Sequence, residues 1–296
     1  MNAIDQLTGT PAALKQELPI ASGYSPIYVV GQASAPRLYS ISQATGGGPG
    51  QAEAIETSTN TISNTIPVGR GPVYGVMTVD TRRAFVLNQT DGTVSVINTV
   101  SNQLDTPVST ITVGPRPVWA DLASGLDELV VANEGNGTTP GSLSIINIPL
   151  CTSTTLPTNP NCVASNPVDA TTFGQTVATV PVGINPIMVS VLSDFSRAYV
   201  ANAGVLGLPC AAVSVAGVST TCTVSVVNLT TDTVTATIPI NGHPAWIATT
   251  NATPTGKVYV VCKDSQVMTV IETDTDSVDT TIPLQGYGVS VRMTAP

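Results

Sequence analysis

The fold is decided by the stretch from Ile66 to Asn98, which reads IPVGRGPVYGVMTVDTRRAFVLNQTDGTVSVIN. It holds a Gly-x-x-Pro turn, an apolar strand after the proline, a second strand ending at Asn88 and a third ending at Asn98. Between the second and third strands, Asp91-Gly92 is a tight hairpin signal. The strands are short and rich in Val, Ile and Thr, which suit a pleated sheet. The stretch therefore predicts most of one small antiparallel sheet.

The same pattern recurs along the chain. Its turn markers end at Pro26, Pro72, Pro117, Pro186, Pro244 and, in degenerate form, Gly288, with spacings of 46, 45, 69, 58 and 44 residues. Second-strand markers end at Ser42, Asn88, Asn133, Asn202 and Cys262. Third-strand markers end at Asp5, Glu56, Asn98, Asn147, Asn228 and Glu272. A fourth strand, such as 176–182 or 233–240, leads to the next turn. Apart from two insertions, the period is close to 45 residues.

Four short strands in each period of about 45 residues are typical of a β-propeller blade. One four-stranded sheet cannot bury both of its faces alone, whereas blades stacked around an axis bury each other. We therefore predict an all-β propeller of four-stranded antiparallel blades forming a single domain over 1–296. The predicted blades are 26–71, 72–116, 117–185, 186–243 and 244–287, with a closing blade from 1–25 plus 288–296. The polar residues that end strands are expected to make local hydrogen bonds.

The segment YVAN at Tyr199–Asn202, with its IPVG-like and VSVVN-like neighbours, resembles the YVTN-type β-propeller repeats. The resemblance covers nearly the whole chain. It implies a propeller like those of bacterial and archaeal surface-layer, secreted and lipoprotein chains, usually with seven blades. It says less about function, because such repeats serve binding, scaffolding and some enzymes.

The repeat count is uneven, with six turn markers and six third-strand markers but only five second-strand markers. The closing blade would take an inner strand from 288–293 and its outer strands from the other end of the chain, without a second strand. Unpaired strand edges are unfavourable. We therefore expect that the chain has lost N-terminal material of at least one strand, and the resemblance to the usually seven-bladed family implies a loss of about a blade and a half plus a signal peptide. A complete six-bladed ring with an irregular closing blade is the alternative.

Bulk charge excludes some partners. The net charge is −9, and only 10 Lys and Arg residues occur among 296. Nucleic-acid binding depends on many such cations, and so does attraction to an anionic membrane surface. No apolar run approaches the length of a transmembrane helix. The sequence thus predicts no nucleic-acid partner, no membrane span and a monomer.

The cysteines favour an oxidising compartment. Cys151 and Cys162 bracket one insertion, and Cys210 and Cys222 bracket the other, so each pair is predicted to form a disulfide. Four unrelated buried thiols are the alternative. Cys262 is left over in a strand, where it is expected to act as a small buried hydrophobe. With no visible signal peptide at Met1, an extracytoplasmic location is expected from the cysteines and the resemblance.

The loops between blades give the best functional signal. The two residues before each turn marker's end approach the central channel of a propeller, and they collect His243, the single histidine, with two of the seven arginines. The candidate ligand-binding residues here are Tyr24, Arg70, Arg116, Asn185, His243 and Tyr287. Arginines at such positions would favour an anion or carboxylate. The alternative is that these are ordinary exposed loop side chains.

A second set of equivalent positions lies two residues past each marker: Tyr28, Tyr74, Trp119, Met188, Trp246 and Ser290. Both tryptophans of the chain, Trp119 and Trp246, occur there. One interpretation is a packing position between neighbouring inner strands. The other is an aromatic lining that stacks on a sugar, a peptide or another ring-bearing ligand.

Catalytic and metal chemistry find little support in the sequence. One histidine excludes His-rich metal sites, and the cysteine spacings fit no zinc pattern. The acidic run Glu272, Asp274, Asp276 and Asp279 lacks a calcium-loop spacing. We predict no metal, no cofactor and no catalytic residue. The expected function is a non-enzymatic extracytoplasmic module that binds a protein, peptide or glycan. The alternative is a propeller enzyme of lactonase-like or quinoprotein-like type.

Overall fold

The computed structural model describes residues 2–5, 13–149, 172–210, 214–215, 218–219, 221–250 and 256–292. Within these ranges all regular structure is β-strand, and there is no helix. The chain divides into two compact units, Met1–Thr112 and Val113–Pro296. Both insertions, and Cys151 and Cys162 in the first of them, fall in the second unit. Those two cysteines lie outside the described residues.

The N-terminal unit contains a two-stranded sheet and two larger antiparallel sheets. The two-stranded sheet pairs β1 (Asn2–Asp5) with β2 (Ala13–Glu17). Sheet 1 comprises β3 (Tyr24–Val30), β4 (Arg37–Ala44), β5 (Pro49–Glu56) and β6 (Thr61–Arg70). Sheet 2 comprises β7 (Pro72–Met77), β8 (Arg83–Asn88), β9 (Thr93–Asn98), β10 (Gln103–Leu104) and β11 (Thr110–Thr112).

The C-terminal unit contains three four-stranded antiparallel sheets. Sheet 3 comprises β12 (Pro117–Ala123), β13 (Glu128–Asn133), β14 (Pro140–Asn147) and β15 (Thr176–Ile184). Sheet 4 comprises β16 (Pro186–Val191), β17 (Arg197–Asn202), β20 (Thr223–Asn228) and β21 (Thr233–Pro239), and the hairpin of β18 (Ser214–Val215) and β19 (Val218–Ser219) lies within its insertion. Sheet 5 comprises β22 (Pro244–Thr249), β23 (Lys257–Cys262), β24 (Val267–Glu272) and β25 (Ser277–Pro283).

These sheets confirm the repeat as a unit of antiparallel structure. Four of the five begin at the proline of a turn marker, and their second strands end at Asn88, Asn133, Asn202 and Cys262 as predicted. Third strands end at Glu56, Asn98, Asn147, Asn228 and Glu272. In four of the five sheets, neighbouring strands follow one another in chain order, whereas in sheet 2 β11 pairs with β9 and not with β10. The number of blades and the single-domain organisation remain predictions.

One predicted strand is wrong. Residues 288–292 were expected to form an inner strand, but they have no regular structure. The NH of Gly288 does donate to the carbonyl of Cys262 over 2.9 Å. A strand needs a continuous ladder of such bonds, and the predicted closing blade had no second strand to provide one.

The outer edge of sheet 2 also departs from a regular strand. β10 and β11 pair with β9 one after the other, in place of one continuous strand. Between them, Asp105 is buried and forms a 2.7 Å ion pair with the buried Arg83. An arginine buried in a core needs such a partner, and this contact accompanies the break in the outer strand.

The cores lie between the sheets of each unit. In the N-terminal unit, Tyr39 and Ile41 of sheet 1 pack in the same cluster as Met77 and Val86 of sheet 2. Two further clusters in the C-terminal unit join sheet 3 to sheet 4 and sheet 4 to sheet 5. Every residue of β8 is buried. This is the pattern of a strand covered on both faces, which explains its nearly continuous apolar sequence.

The constant spacing between the turn glycine and the second-strand asparagine has a steric origin. A Cβ on Gly69, Gly114 or Gly183 would lie 2.6–2.7 Å from the amide carbon of Asn88, Asn133 or Asn202, respectively. Each of these asparagine amides in turn donates to a serine of the third strand, over 3.0 Å in all three sheets. The glycine of the turn marker and the asparagine of the second strand are therefore parts of one packed arrangement.

Candidate functional site

The loops before the inner strands share one backbone geometry. The carbonyls of Gly71, Arg116, Asn185 and His243 each accept an NH from the residue that follows the second strand of the same sheet, over 2.8–2.9 Å. Gly71, Arg116 and Asn185 also share a positive φ of 56–61°. The equivalence that the sequence predicted for six loops is thus present in the backbone of these four.

Both arginines of the candidate set are held by carboxylates. In the N-terminal unit, Arg70 Nε lies 2.7 Å from Asp91 Oδ1, and the Arg70 NH donates to Asp91 Oδ2 over 2.7 Å. In the C-terminal unit, Arg116 pairs with Glu134 at 2.8 Å. The hydrogen bond from the Arg70 NH, with that from its guanidinium, outweighs desolvation and lowers the pKa of Asp91. These arginines stay about half exposed, but their charge is already compensated.

His243, like the two arginines, is held by a carboxylate, that of Asp264. Its NH donates to Asp264 Oδ1 over 2.7 Å, and its Nδ1 lies 2.5 Å from Asp264 Oδ2. Its Nε2 lies 3.0 Å from the carbonyl oxygen of Leu208, in the insertion of sheet 4. Burial opposes ionisation of Asp264, but the bonds from His243 outweigh it, so the pKa of Asp264 is lowered. The imidazole is therefore fixed in orientation at both nitrogens.

The remaining loop candidates differ in exposure. Asn185 is buried, and its Oδ1 has no hydrogen-bond partner among the described residues. Tyr287 is 63% exposed, and Tyr24 is partly buried at the start of β3 in the N-terminal unit. Asn185 is therefore a buried residue of the turn with a positive φ, whereas the side chain of Tyr287 is exposed to solvent.

The aromatic positions do come together within each unit. In the N-terminal unit the rings of Tyr28 and Tyr74 lie 4.6 Å apart. In the C-terminal unit the inner strands β12, β16 and β22 lie side by side, and the rings of Trp119 and Trp246 meet edge to face at 5.2 Å. Both indoles remain partly exposed, with Met188 buried in the cluster they pack against. The position thus serves packing and leaves aromatic surface at the same time.

Arg292 completes this aromatic cluster. Its guanidinium carbon lies 5.6 Å from the centroid of the Trp246 ring, within cation–π distance. Arg292 is exposed, and no carboxylate among the described residues pairs with it. We call Trp119, Trp246 and Arg292 the tryptophan platform. Sequence reasoning missed Arg292 because 288–293 was expected to be a strand.

The second insertion is closed by the predicted Cys210–Cys222 disulfide, whose Cα atoms lie 5.1 Å apart. Cys222 is fully buried and Cys210 partly so. Cys262 is a free, buried thiol, as predicted. Burial, with the nearby charge of Asp264, raises the pKa of Cys262 to about 11, which disfavours the nucleophilic thiolate at neutral pH.

Two carboxyl groups of the C-terminal unit gave no sequence signal. Burial raises the pKa of Asp121 in β12, although it accepts bonds from the NH groups of Val191 and Leu122. Burial, and then the charge of Asp232, raises the pKa of Glu128 to about 7. The strands that contain them have the same sequence pattern as the other repeats, so only the three-dimensional packing shows that these two carboxyl groups are unusual.

The fold is propeller-like, an all-β arrangement with five antiparallel sheets of four or more strands. No family model and no curated protein matches the sequence. Among solved structures, hydrazine synthase of Kuenenia stuttgartiensis is similar over 96% of this chain and 72% of its own, with a TM-score of 0.62 and 16% identity. A functionally unknown protein from Desulfotomaculum acetoxidans DSM 771 is similar over 96% of this chain and 80% of its own, with a TM-score of 0.57 and 14% identity.

A third similar structure is KlHsv2 with loop 6CD replaced by a Gly-Ser linker. The similarity covers 93% of this chain and 72% of that one, with a TM-score of 0.55 and 9% identity. At such identities the likeness establishes the fold alone. One fold of this kind supports many unrelated functions, so function has to be argued from this chain's own residues.

Proposed function

We propose that the protein is a non-enzymatic, extracytoplasmic propeller of the YVTN-repeat type that binds a glycan or peptide on the tryptophan platform. The observation that carries the proposal is the contact of Trp119 with Trp246, beneath the guanidinium of Arg292. Two partly exposed indoles at right angles offer a face and an edge to a sugar ring or an aromatic side chain. Such rings dominate the energetics of many binding surfaces.

Charge narrows the class of ligand. Arg116 in the same unit is already paired with Glu134, whereas Arg292 has only the Trp246 ring among the described residues. A cation beside an aromatic surface favours a ligand that carries both a ring and a carboxylate. We therefore expect acidic sugars, or peptides with an aromatic residue beside Asp or Glu, to bind best.

The compartment is part of the proposal. The Cys210–Cys222 disulfide is of the kind that persists in an oxidising environment. The described part of the chain contains no helix that is long and apolar enough to cross a membrane. A disulfide-tied all-β module with few charged residues suits a secreted, periplasmic or surface-exposed role.

A screen against arrays of glycans and peptides tests this function. We expect Trp246→Ala to weaken each hit at least tenfold, and Arg292→Gln to weaken only the carboxylate-bearing hits. Arg82→Gln, a charge-matched change in the N-terminal unit, is the control and should leave every hit unchanged. Binding that survives both Trp119→Ala and Trp246→Ala, in variants that unfold at the parental temperature, rules out the platform.

The enzyme alternative has one supporting observation. Asp121 lies on the inner strand β12, two residues beyond Trp119, and its raised pKa is the kind that catalytic acids have. We would assign the acid of a lactonase-like activity to this group, although both of its oxygens accept backbone NH groups. Hydrolysis of a lactone panel by the parent, lost in Asp121→Asn with platform binding retained, would favour the enzyme over the binding module.

A further inference from the structure

Three potential metal ligands meet in the C-terminal unit. The sulfurs of Cys210 and Cys222 and a ring nitrogen of His243 all lie within 4.8 Å of one another. Cys210 belongs to the insertion after β17, Cys222 immediately precedes β20, and His243 immediately precedes β22. The single histidine of the chain is thus brought to the disulfide from a different sheet. No sequence spacing predicts this arrangement, because Cys222 and His243 are 21 residues apart.

The histidine is held as metal-binding histidines are held. Asp264 fixes both its backbone NH and its Nδ1, which leaves Nε2 directed toward the insertion, where it meets the Leu208 carbonyl. A carboxylate on one imidazole nitrogen orients the ring and increases the basicity of the other nitrogen. The Cys210–Cys222–His243 cluster therefore has a second layer of support as well as its three donors.

We propose that reduction of the Cys210–Cys222 disulfide turns this cluster into a binding site for one Zn²⁺ ion. Two thiolates and an imidazole are donors that zinc prefers, at about 2.3 Å and 2.0–2.1 Å, respectively. Tetrahedral bonds of that length place the two sulfurs about 3.8 Å apart. Cys210 lies in a partly exposed loop that can supply this movement. The fourth position is open to water or to the Leu208 carbonyl oxygen.

A dithiol can serve as the reductant of the Cys210–Cys222 disulfide. The dithiol gives two electrons to the disulfide, the S–S bond breaks, each protein sulfur takes a proton, and the reductant becomes a disulfide. Zn²⁺ then displaces both thiol protons to solvent. His243 binds through Nε2, so the Nε2 proton that faces the Leu208 carbonyl is also released to solvent, and the ring keeps its Nδ1–H on Asp264.

As a consequence, the ends of the insertion between Cys210 and Cys222 are linked in both redox states. Oxidised, it is closed by the disulfide; reduced, it is closed by the metal. The site does not involve the tryptophan platform, so this inference stands apart from the proposed function, and either can fail without the other.

Zinc titration of the full chain tests the inference. Cys151→Ser and Cys162→Ser are introduced first, so that those thiols do not compete. The protein is reduced with a phosphine, desalted without oxygen and titrated with Zn²⁺ against a chromophoric chelator. We expect one equivalent to bind to the reduced chain, and at least 100-fold weaker binding to the oxidised chain. Co²⁺ in place of Zn²⁺ should give sulfur-to-cobalt charge-transfer absorption.

The variants identify the ligands. Cys222→Ser and His243→Gln should each weaken zinc binding at least 100-fold, and Asp264→Asn, which reduces the orientation and the basicity of the ring but removes no ligand, should weaken it 10- to 100-fold. Cys262→Ala removes a buried thiol outside the cluster and should leave the affinity unchanged. If His243→Gln does not fold, Asp264→Asn and the cobalt spectrum decide. Absence of stoichiometric binding, or parental affinity in Cys222→Ser, overturns the proposal.

Discussion

Asn88 occupies the space that a side chain at Gly69 would need. A Cβ on Gly69 would lie 2.6 Å from Asn88 Cγ and 2.7 Å from its Nδ2. The Asn88 amide cannot move away without losing its bonds to Thr93 and Ser95. The two strongest markers of the repeat are therefore complementary in shape, and each explains why the other recurs.

Gly69→Ala should lower the free energy of unfolding by about 1–3 kcal/mol, the usual cost of overpacking a well-filled site. Gly46→Ala is the matched control, since a Cβ there meets no atom within 4 Å. Denaturant unfolding of both variants measures the difference. Equal stability of the two would show that Asn88 can move aside at no cost.

Asp91→Asn should lower the melting temperature at neutral pH. The folded pKa of Asp91 is depressed by its bonds from Arg70, so its contribution is present above the unfolded pKa of about 3.9 and is lost as the pH falls through the folded value. For an exposed ion pair we expect about 1 kcal/mol, or about 2–4 °C. The difference from the parent should shrink as the pH falls below about 3.9.

Asp274→Asn provides the charge-matched comparison for this prediction. Asp274 is exposed, and it has no hydrogen bond or ion pair with any described residue. Its removal should leave the melting temperature unchanged across the same pH range. A similar loss in both variants would attribute the effect to net charge and not to the Arg70 contact.

Glu128→Gln should stabilise the protein at pH 8 but not at pH 4. The folded pKa of Glu128 is raised to about 7 by burial and by Asp232, so the parent loses stability as the pH rises from about 4.5 to 7. Glutamine removes this loss. Because Glu128 is only partly buried, we expect about 1 kcal/mol, or about 2–4 °C, in thermal unfolding at pH 8.

Glu134→Gln should lower the stability of the protein at pH 8, opposite to Glu128→Gln, since it breaks the ion pair with Arg116. The same scans therefore include a carboxylate whose removal destabilises. Stabilisation of Glu128→Gln at pH 4 as large as at pH 8 would contradict the assignment of its effect to ionisation.

The two tryptophans should behave as a coupled pair. They are the only tryptophans in the chain, and their rings meet at 5.2 Å, so the circular dichroism couplet of the pair should disappear completely in either Trp119→Phe or Trp246→Phe. A double-mutant cycle should give about 0.5–1.5 kcal/mol of coupling. Tyr287→Phe, on an exposed ring, should change neither signal. If the two indoles gave independent circular dichroism signals, Trp119 and Trp246 would not form a coupled pair.

Much of the fold could be predicted from the sequence, because recurring residues in each repeat mark where its strands end. The residues Asn88, Asn133 and Asn202 end second strands as expected, and Asn98 and Asn228 begin turns by accepting NH groups two and three residues on. These are local or periodic effects, so spacing reveals them. The inner strand expected at 288–293 was wrong since a strand depends on a neighbour that the local sequence does not supply.

The candidate site was less accessible to such reasoning. The sequence placed Arg70, Arg116 and His243 in equivalent loops, but it gave no sign of Asp91, Glu134 and Asp264 as their partners. Those carboxylates lie at three different offsets from the end of the second strand. Pairing therefore depends on how each loop folds back on the next turn.

By itself, the sequence determined most of the strands, their order, the turns and the positions where aromatic residues recur, because each follows from a period or from local steric limits. Only the tertiary structure decided that Trp119 and Trp246 touch, that Arg292 covers one of them, and that His243 meets the Cys210–Cys222 disulfide. These contacts join residues from different sheets, and the distances between sheets are set by core packing, which no single repeat contains.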